Sequence, residues 1–161
     1  MEGDAQMQLY FYSERFKHAI DQYQINEDQL RYTADPKDCI KLSNEDPERS
    51  SILAIENEEL VTFFVLHIKE GVKPYSANHQ AILVRAFSTD FRHQGKGYAK
   101  KALMLLPAFV KENFSAINEI VLSVNVGNVA AQGLYKKCGF VDEGERRMGP
   151  KGELIVMSYY L

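Results

Sequence analysis

The fold class predicted for this chain is α+β, or mixed α/β, built on one sheet of mixed strand direction, and three observations predict it. A β-type run at 81–87 is followed by a helix-type run from Gly97 and then by a second β-type run at 120–124. Strand, helix, strand in that order implies a parallel crossover. Two further pairs of β-rich runs, 51–55 with 60–68 and 145–148 with 154–160, are each joined by a short polar turn and read as antiparallel hairpins. Between residues 14 and 23, by contrast, apolar side chains recur at helical spacing.

Taken in order, Gln8-Leu9-Tyr10-Phe11-Tyr12 is short and aromatic and reads as a first strand, with Ser13 placed to cap the next element. A helix then spans 14–23, with Phe16, Ile20 and Tyr23 facing the core. Asn26 opens a second short helix through Tyr32. Pro36 stops or redirects the chain, because the residue before a proline is pushed out of the helical region. Residues 38–42 can add one further turn, and 43–49 is loop by composition. The near-continuous apolar run at 60–68 reads as a strand covered on both faces, and 71–78, with its Gly, Pro, Ser and Asn, as a surface loop. The helix from Gly97 buries Ala99, Ala102, Leu103, Leu106 and Val110 on one stripe and leaves Lys100, Lys101, Lys111 and Glu112 to solvent. Pro107 has no N–H for the carbonyl four residues back, which predicts a kink or a break there. After the strand at 120–124 the turn Asn125-Val126-Gly127-Asn128 leads into a helix at 129–138, with Asn128 as N-cap and Gly139 in the left-handed C-cap position.

At 161 residues, with 45% hydrophobic content, the chain suits a single domain spanning 1–161 with one sizeable core. A net charge of −3 and the absence of any basic run argue against a nucleic-acid partner held by phosphate neutralisation. The two cysteines, Cys39 and Cys138, are far apart and suggest neither a disulfide framework nor a zinc site. Met1-Glu2-Gly3-Asp4-Ala5-Gln6 is acidic and lacks a signal-peptide pattern, and no apolar run approaches the length needed to cross a bilayer. The expectation is a soluble, cytoplasmic protein with no membrane partner.

Chemistry concentrates at Gln94-Gly95-Lys96-Gly97-Tyr98-Ala99. A glycine-bearing turn leading into a helix offers unpaired N–H groups and the positive end of the helix dipole, which suits a phosphate or pyrophosphate. The plain alternative is a strand-to-helix turn whose glycines only supply φ > 0. The turn resembles the acetyl-CoA signature Q/R-x-x-G-x-G/A of the Gcn5-related N-acetyltransferases (GNAT), read from Gln94, with an overlapping reading from Arg92 through Gly95 to Gly97. Downstream, Asn128, Ala131, Leu134, Tyr135, Gly139 and Phe140 resemble a second feature of that family, N-x-x-A-x-x-L-Y-x-x-x-G-F. The resemblance is firm from about residue 52 to the end and holds in outline over 8–42.

What the resemblance implies is a GNAT-like sheet of six to seven mostly antiparallel strands, a central parallel β-α-β unit and about four helices. It also implies an N-acetyltransferase that moves an acetyl group from acetyl-CoA, as cosubstrate, directly to a primary amine of a small molecule, or to a peptide or protein amine, in a ternary complex. Backbone at Gly95, Lys96, Gly97, Tyr98 and Ala99, with Gln94, would cradle the pyrophosphate. Ala86, Phe87, Ser88 and Thr89, at the end of the fourth strand, would pair with the pantetheine arm as an added strand does, provided that the fourth and fifth strands splay apart. Tyr135 would protonate the departing thiolate, since a tyrosine near pKa ~10 and a thiol near ~8.5 are closely matched. Asn128 would cap its helix and also contact cofactor or tyrosine. The plain readings are a core tyrosine and a simple cap.

The base that deprotonates the amine is not legible. Asp90, Glu56 and Asn125 lie near strand ends and His67 and His79 flank a loop, but each suits a solvated or capping role, and a water relay leaves no trace in sequence. The four histidines, His18, His67, His79 and His93, lack metal-ligand spacing, so no metal is expected. Cys138 sits in a last helical turn, where the dipole disfavours a thiolate nucleophile. The acceptor side falls to residues 14–42, 71–78 and 149–152. There Glu27, Asp28, Asp35 and Asp38 would attract a polyamine or other cationic amine, or form an ordinary acidic surface. Family members are often dimers, which leaves a homodimer open. The alternative function is a non-catalytic acyl-CoA sensor or interaction domain on the same fold. A nucleotide-phosphate binder ranks last, because both the Walker ending and the third glycine of a dinucleotide fingerprint are missing.

Overall fold

A computed structural model describes residues 6–161, so Met1–Ala5, most of the acidic N-terminal stretch read above, lie outside the described residues. Seven strands, β1 (Met7–Phe11), β2 (Arg49–Glu56), β3 (Glu59–His67), β4 (Ala81–Thr89), β5 (Glu119–Asn125), β6 (Val141–Gly149) and β7 (Gly152–Tyr160), form one sheet in the order β1-β2-β3-β4-β5-β7-β6. Five α-helices accompany them: α1 (Lys17–Gln22), α2 (Glu27–Leu30), α3 (Pro36–Glu45), α4 (Tyr98–Asn113) and α5 (Val129–Lys137). β4 and β5 pair in parallel across the α4 crossover and every other neighbouring pair is antiparallel, which is the mixed sheet that the element order predicts.

Alternation along β3 sorts the core into two layers. Phe64 and Leu66 join Ile82, Leu103, Leu106, Ile120 and Leu122 beneath α4 and α5. Phe63 and Val65 point the other way, into Phe16, Ile20, Tyr23 and Ile40 from the N-terminal helices. The two-residue turn between β2 and β3 holds Asn57 and Glu58 at φ 56 and 68, the left-handed pair that a tight hairpin demands.

The structure corrects several local expectations. Pro36 does not stop the chain. It occupies the first turn of α3, where its missing N–H is no loss, while the Asp35 side chain accepts from the Lys37 N–H at 2.9 Å, and the helix runs on to Glu45. Ser13 makes no side-chain cap hydrogen bond. α4 continues unbroken through Pro107, held by burial of Ala102, Leu103, Leu106 and Val110. Ala99 is only half-buried and lines a cleft rather than joining that stripe.

Two features shape the centre of the sheet. The parallel ladder runs only from Ala81↔Glu119 to Val84↔Leu122, although β4 continues to Thr89 and β5 to Asn125, so the two strands part. On its other edge β4 is bulged: Phe63 faces Ser88 and Val65 faces Arg85, so Ala86 and Phe87 stand opposite Phe64 alone, and Ala86 takes φ 55. A bulge of this kind bends the strand and re-aims the residues beyond it.

Asp90, directly after β4, fixes that bent end. Its fully buried carboxylate accepts from the Gln24 N–H at 3.0 Å, the Arg92 N–H at 2.8 Å, and Arg92 Nε and Nη2 at 3.0 and 2.8 Å. Burial alone would raise its pKa, but the hydrogen bonds from Arg92 and Gln24 and the Arg92 charge outweigh it and hold the group below the ordinary carboxylate value. Asp90→Asn should therefore lower the unfolding free energy by about 1–3 kcal/mol in urea titrations. A depressed pKa stabilises the fold above the unfolded value and is lost as pH falls through the folded one. The acid limb of stability, below about pH 4, should thus be shallower in the variant than in the parent. An unchanged midpoint and acid limb would refute this role.

Candidate active site

Where β4 and β5 part, a cleft of about 710 Å³ opens. One wall is the end of β4 (Phe87, Ser88, Thr89), the turn before α4 (Gln94, Gly95, Gly97, Tyr98, Ala99) and α5 with its cap (Asn128, Tyr135). Ten of the twelve residues expected from sequence at the donor site thus share one cavity. Ala86 and the exposed Lys96 do not line it.

The turn is shaped by its glycines. Gly95 and Gly97 take φ 78 and 82, and a side chain added at either would meet no protein atom within 4 Å. Packing does not require glycine there; the left-handed backbone and an open approach do. These are the two glycines of the reading from Arg92, whose own side chain turns away to Asp90 and to the Gln22 carbonyl at 3.0 Å. Gly97 caps the 16-residue α4 without a side-chain cap bond, so the leading N–H groups of a long helix face the cavity. Lys100 lines it as well.

At the end of β4 the edge that faces β5 has no ladder partner beyond Val84. The strand end is also held from the N-terminal segment: the Ser88 carbonyl accepts from Tyr23 Oη at 2.8 Å and the Thr89 carbonyl from Gln29 Nε2 at 2.6 Å. Ala86 and Phe87 carry neither of these contacts.

Tyr135 enters from α5. Its ring meets Phe87 and Phe140 edge-on, with centroids 6.2 and 6.1 Å away. Burial pushes its pKa well above the usual tyrosine value, and no hydrogen bond to a described residue offsets that, so the hydroxyl keeps its proton. The close match to a free thiol inferred from sequence does not hold for the buried phenol. Asn128 caps α5, its Oδ1 accepting from the Ala131 N–H at 3.2 Å, and it lines the cleft. Cys138 is buried and its thiol pushed up by that burial, which suits a structural residue.

The opposite wall is built by Asn26, Asp28, Gln29, Tyr32 and Thr33. Apart from Asp28, read only as one of several acidic groups, neither these residues nor His93 beside the turn stand out as site residues in the sequence. The one sequence signal is the Asn26-x-x-Gln29 capping box. It is formed: Asn26 Oδ1 accepts from the Gln29 N–H at 2.9 Å and Gln29 Oε1 from the Asn26 N–H at 3.0 Å.

None of the five base candidates lines the cleft. Asp90 is spent in its buried network, Glu56 is bridged to Lys101 at 2.9 Å, and Asn125 closes its own turn by accepting from the Gly127 N–H at 2.8 Å. His79 borders a separate hollow with Lys69 and Glu70. His67 is brought near Asp46 and Glu48 in a grouping that sequence spacing does not reveal. There Arg49 Nε, 3.4 Å from Asp46, and Arg85 Nη1, 3.1 Å from His67 Nδ1, already supply the positive charge that a cation would. Among the described residues no helix is long and apolar enough to cross a membrane.

Comparison with known proteins bears on the family and the fold. Residues 12–140 match the family described as the acetyltransferase (GNAT) family. A Bacillus subtilis (strain 168) protein described as "Uncharacterized N-acetyltransferase YbbJ" is 38% identical over 154 residues, covering 95% of this chain and 96% of that protein. Among solved structures, aminoglycoside acetyltransferase AAC(6')-Ib in complex with coenzyme A superposes with a TM-score of 0.77 at 14% identity, covering 96% of this chain and 95% of that one. Spermidine N-acetyltransferase from Vibrio cholerae, in complex with CoA and spermine, gives 0.71 at 20% identity over 96% and 95%. At these identities the two structures speak for the fold.

Because the Tyr135 hydroxyl makes no hydrogen bond among the described residues, Tyr135→Phe should change the unfolding free energy by no more than about 0.5 kcal/mol. A larger loss in urea denaturation would mean that the phenol holds the fold.

Proposed function

Because this chain belongs to the acetyltransferase (GNAT) family, we propose that its cleft binds acetyl-CoA and passes the acetyl group directly to a primary amine within a ternary complex. The observation that carries this reading is the junction of three features in one cavity: the β4/β5 split, the Gly95 and Gly97 turn at the head of α4, and Tyr135. The N–H groups from Gly95 to Ala99 hold the pyrophosphate against the helix dipole, with Gln94 and Lys100 on the cavity wall. The open β4 edge at Ala86 and Phe87 takes the amide groups of the pantetheine arm. Ser88 and Thr89 keep that edge in place through Tyr23 and Gln29.

In the transfer the amine nitrogen forms its bond to the acetyl carbon, the carbon–sulfur bond breaks, and Tyr135 gives its proton to the leaving sulfur. The amine's own proton leaves to solvent; none of the five side chains expected as bases lines the cleft. The acceptor is a small-molecule amine in this reading, in line with the spermine named with the Vibrio structure. A peptide amine is the second option. The entire chain serves as one catalytic domain.

Titration of the protein with acetyl-CoA by calorimetry, followed by thiol release over a panel of amines, tests the proposal. Binding with release supports it, binding without release on any amine favours an acyl-CoA sensor, and neither refutes both. Tyr135→Phe should lower kcat by about 100-fold while the acetyl-CoA Kd stays within a factor of about two. Gly97→Val should do the reverse, raising that Kd about 10- to 100-fold, an effect equivalent to about 1–3 kcal/mol; valine at this positive φ strains the turn even in open space, so a urea titration of the variant separates lost binding from lost fold. With the Tyr135 pKa raised, the acid form persists at high pH. The rate should therefore climb through the titration of the amine without turning down below about pH 10.

A further inference from the structure

The wall that faces the donor side carries its own chemistry, and its spent groups separate cleanly from its free ones. Asn26 and Gln29 are consumed by their mutual capping box, and the Gln29 amide also holds the Thr89 carbonyl, so both serve to pin α2 against β4. Thr33 lines the cavity, and its hydroxyl is buried just behind that lining with no hydrogen-bond partner among the described residues. The exposed Asp28 lines it too, with no ion pair and no hydrogen bond to its carboxylate among the described residues. Lys100, the lysine of the cavity lining, sits across the cleft at the head of α4. The cleft is therefore polarised, with helix N–H groups and a lysine at one side and a lone carboxylate with an unsatisfied hydroxyl at the other.

From this we infer that Asp28 and Thr33 form an acceptor subsite for a second ammonium group, one other than the amine that is acetylated. The inference rests on the acetyltransferase reading above. The reacting nitrogen must be neutral to attack, and a carboxylate beside it would favour its protonated, unreactive form. Asp28 is useful only to a positive charge that stays charged throughout the reaction. The acceptor is thus a di- or polyamine, anchored by one cationic nitrogen at Asp28 while another reaches the acetyl carbon. Thr33 supplies a hydrogen bond to the same anchored group, which also satisfies its buried oxygen.

The experiment compares butylamine with 1,4-diaminobutane on the parent, Asp28→Asn and Thr33→Val. In the parent the diamine should have the lower KM, and the advantage should shrink as salt is raised. Asp28→Asn should raise KM for the diamine about 3- to 10-fold and leave KM for butylamine and both kcat values within about twofold. Thr33→Val should raise the diamine KM without lowering the urea midpoint, since it removes an unpaired buried oxygen. Equal effects on both amines, or none, would overturn the inference while the acetyltransferase reading stands. A fall in kcat at unchanged KM, with loss of the acidic limb of the pH–rate profile, would make Asp28 the base and also overturn it. If the parent fails to bind acetyl-CoA in calorimetry, the acetyltransferase reading itself fails and the subsite with it.

Discussion

The early end of the β4/β5 ladder is the constraint on which the rest of the site depends. Two parallel strands that twist together along their whole length would satisfy each other's backbone and leave no room between them. Here the pairing ends at Val84↔Leu122, and the bulge at Ala86 and Phe87 bends β4 away just beyond it. The released edge would be an exposed liability in an ordinary sheet. In this protein it faces a cavity. The side chains that close the floor of the gap are aromatic: Phe64 stacks on Phe87 at 5.6 Å and Phe87 meets Tyr135 at 6.2 Å. The gap between the strands is thus lined by rings from β3, β4 and α5, and Tyr135 is the one of the three that carries a hydroxyl.

That arrangement explains why burial and chemistry coincide at Tyr135. A phenol packed between Phe87 and Phe140 is shielded from water, which penalises its ionised form. It remains an acid over the pH range in which the protein would work. On the proposed reading, the surroundings that make it a weak acid would also make a thiolate held beside it a stronger base, so acid and acceptor would shift together.

Much of this is legible in sequence, and the reasons for the remainder are physical. The mixed sheet, both hairpins, the α4 turn and the Asn128 cap arise from period, turn chemistry and helix signals acting over a few residues. α3 is longer than its sequence suggests because Pro36 reads as a breaker, although the Asp35 cap makes the same proline a starter. The break considered at Pro107 fails because tertiary packing of Leu103, Leu106 and Val110 outweighs one lost hydrogen bond. Asp90 reads as a solvated or capping residue rather than a base, and what its sequence neighbours do not reveal is that the Gln24 backbone, 66 residues away, closes on its buried carboxylate. Thr33 and His93 leave no trace: a missing partner is a property of three-dimensional neighbours, not of residue type.

The acceptor wall is fastened to the donor wall at one place, the end of β4. Tyr23 holds the Ser88 carbonyl, Gln29 holds that of Thr89, and the Gln24 backbone is bound by Asp90. Three consecutive residues of the strand end thus each hold a different point of the N-terminal segment. On the far side, Lys151 Nζ donates to the Leu30 carbonyl at 2.8 Å and the Asn125 amide to the Lys151 carbonyl at 2.8 Å, so the β6–β7 turn and the β5 end clamp the same short helix. A four-residue helix such as α2 has little stability of its own and takes its position from these anchors. Because a bimolecular transfer gains most from holding both partners at reacting distance, a donor edge and an acceptor wall that share one strand end move together. The bulge at Ala86 and Phe87 therefore sets two alignments at once, that of the open β4 edge and that of the α2 wall, which on the proposed reading would receive the donor and present the acceptor.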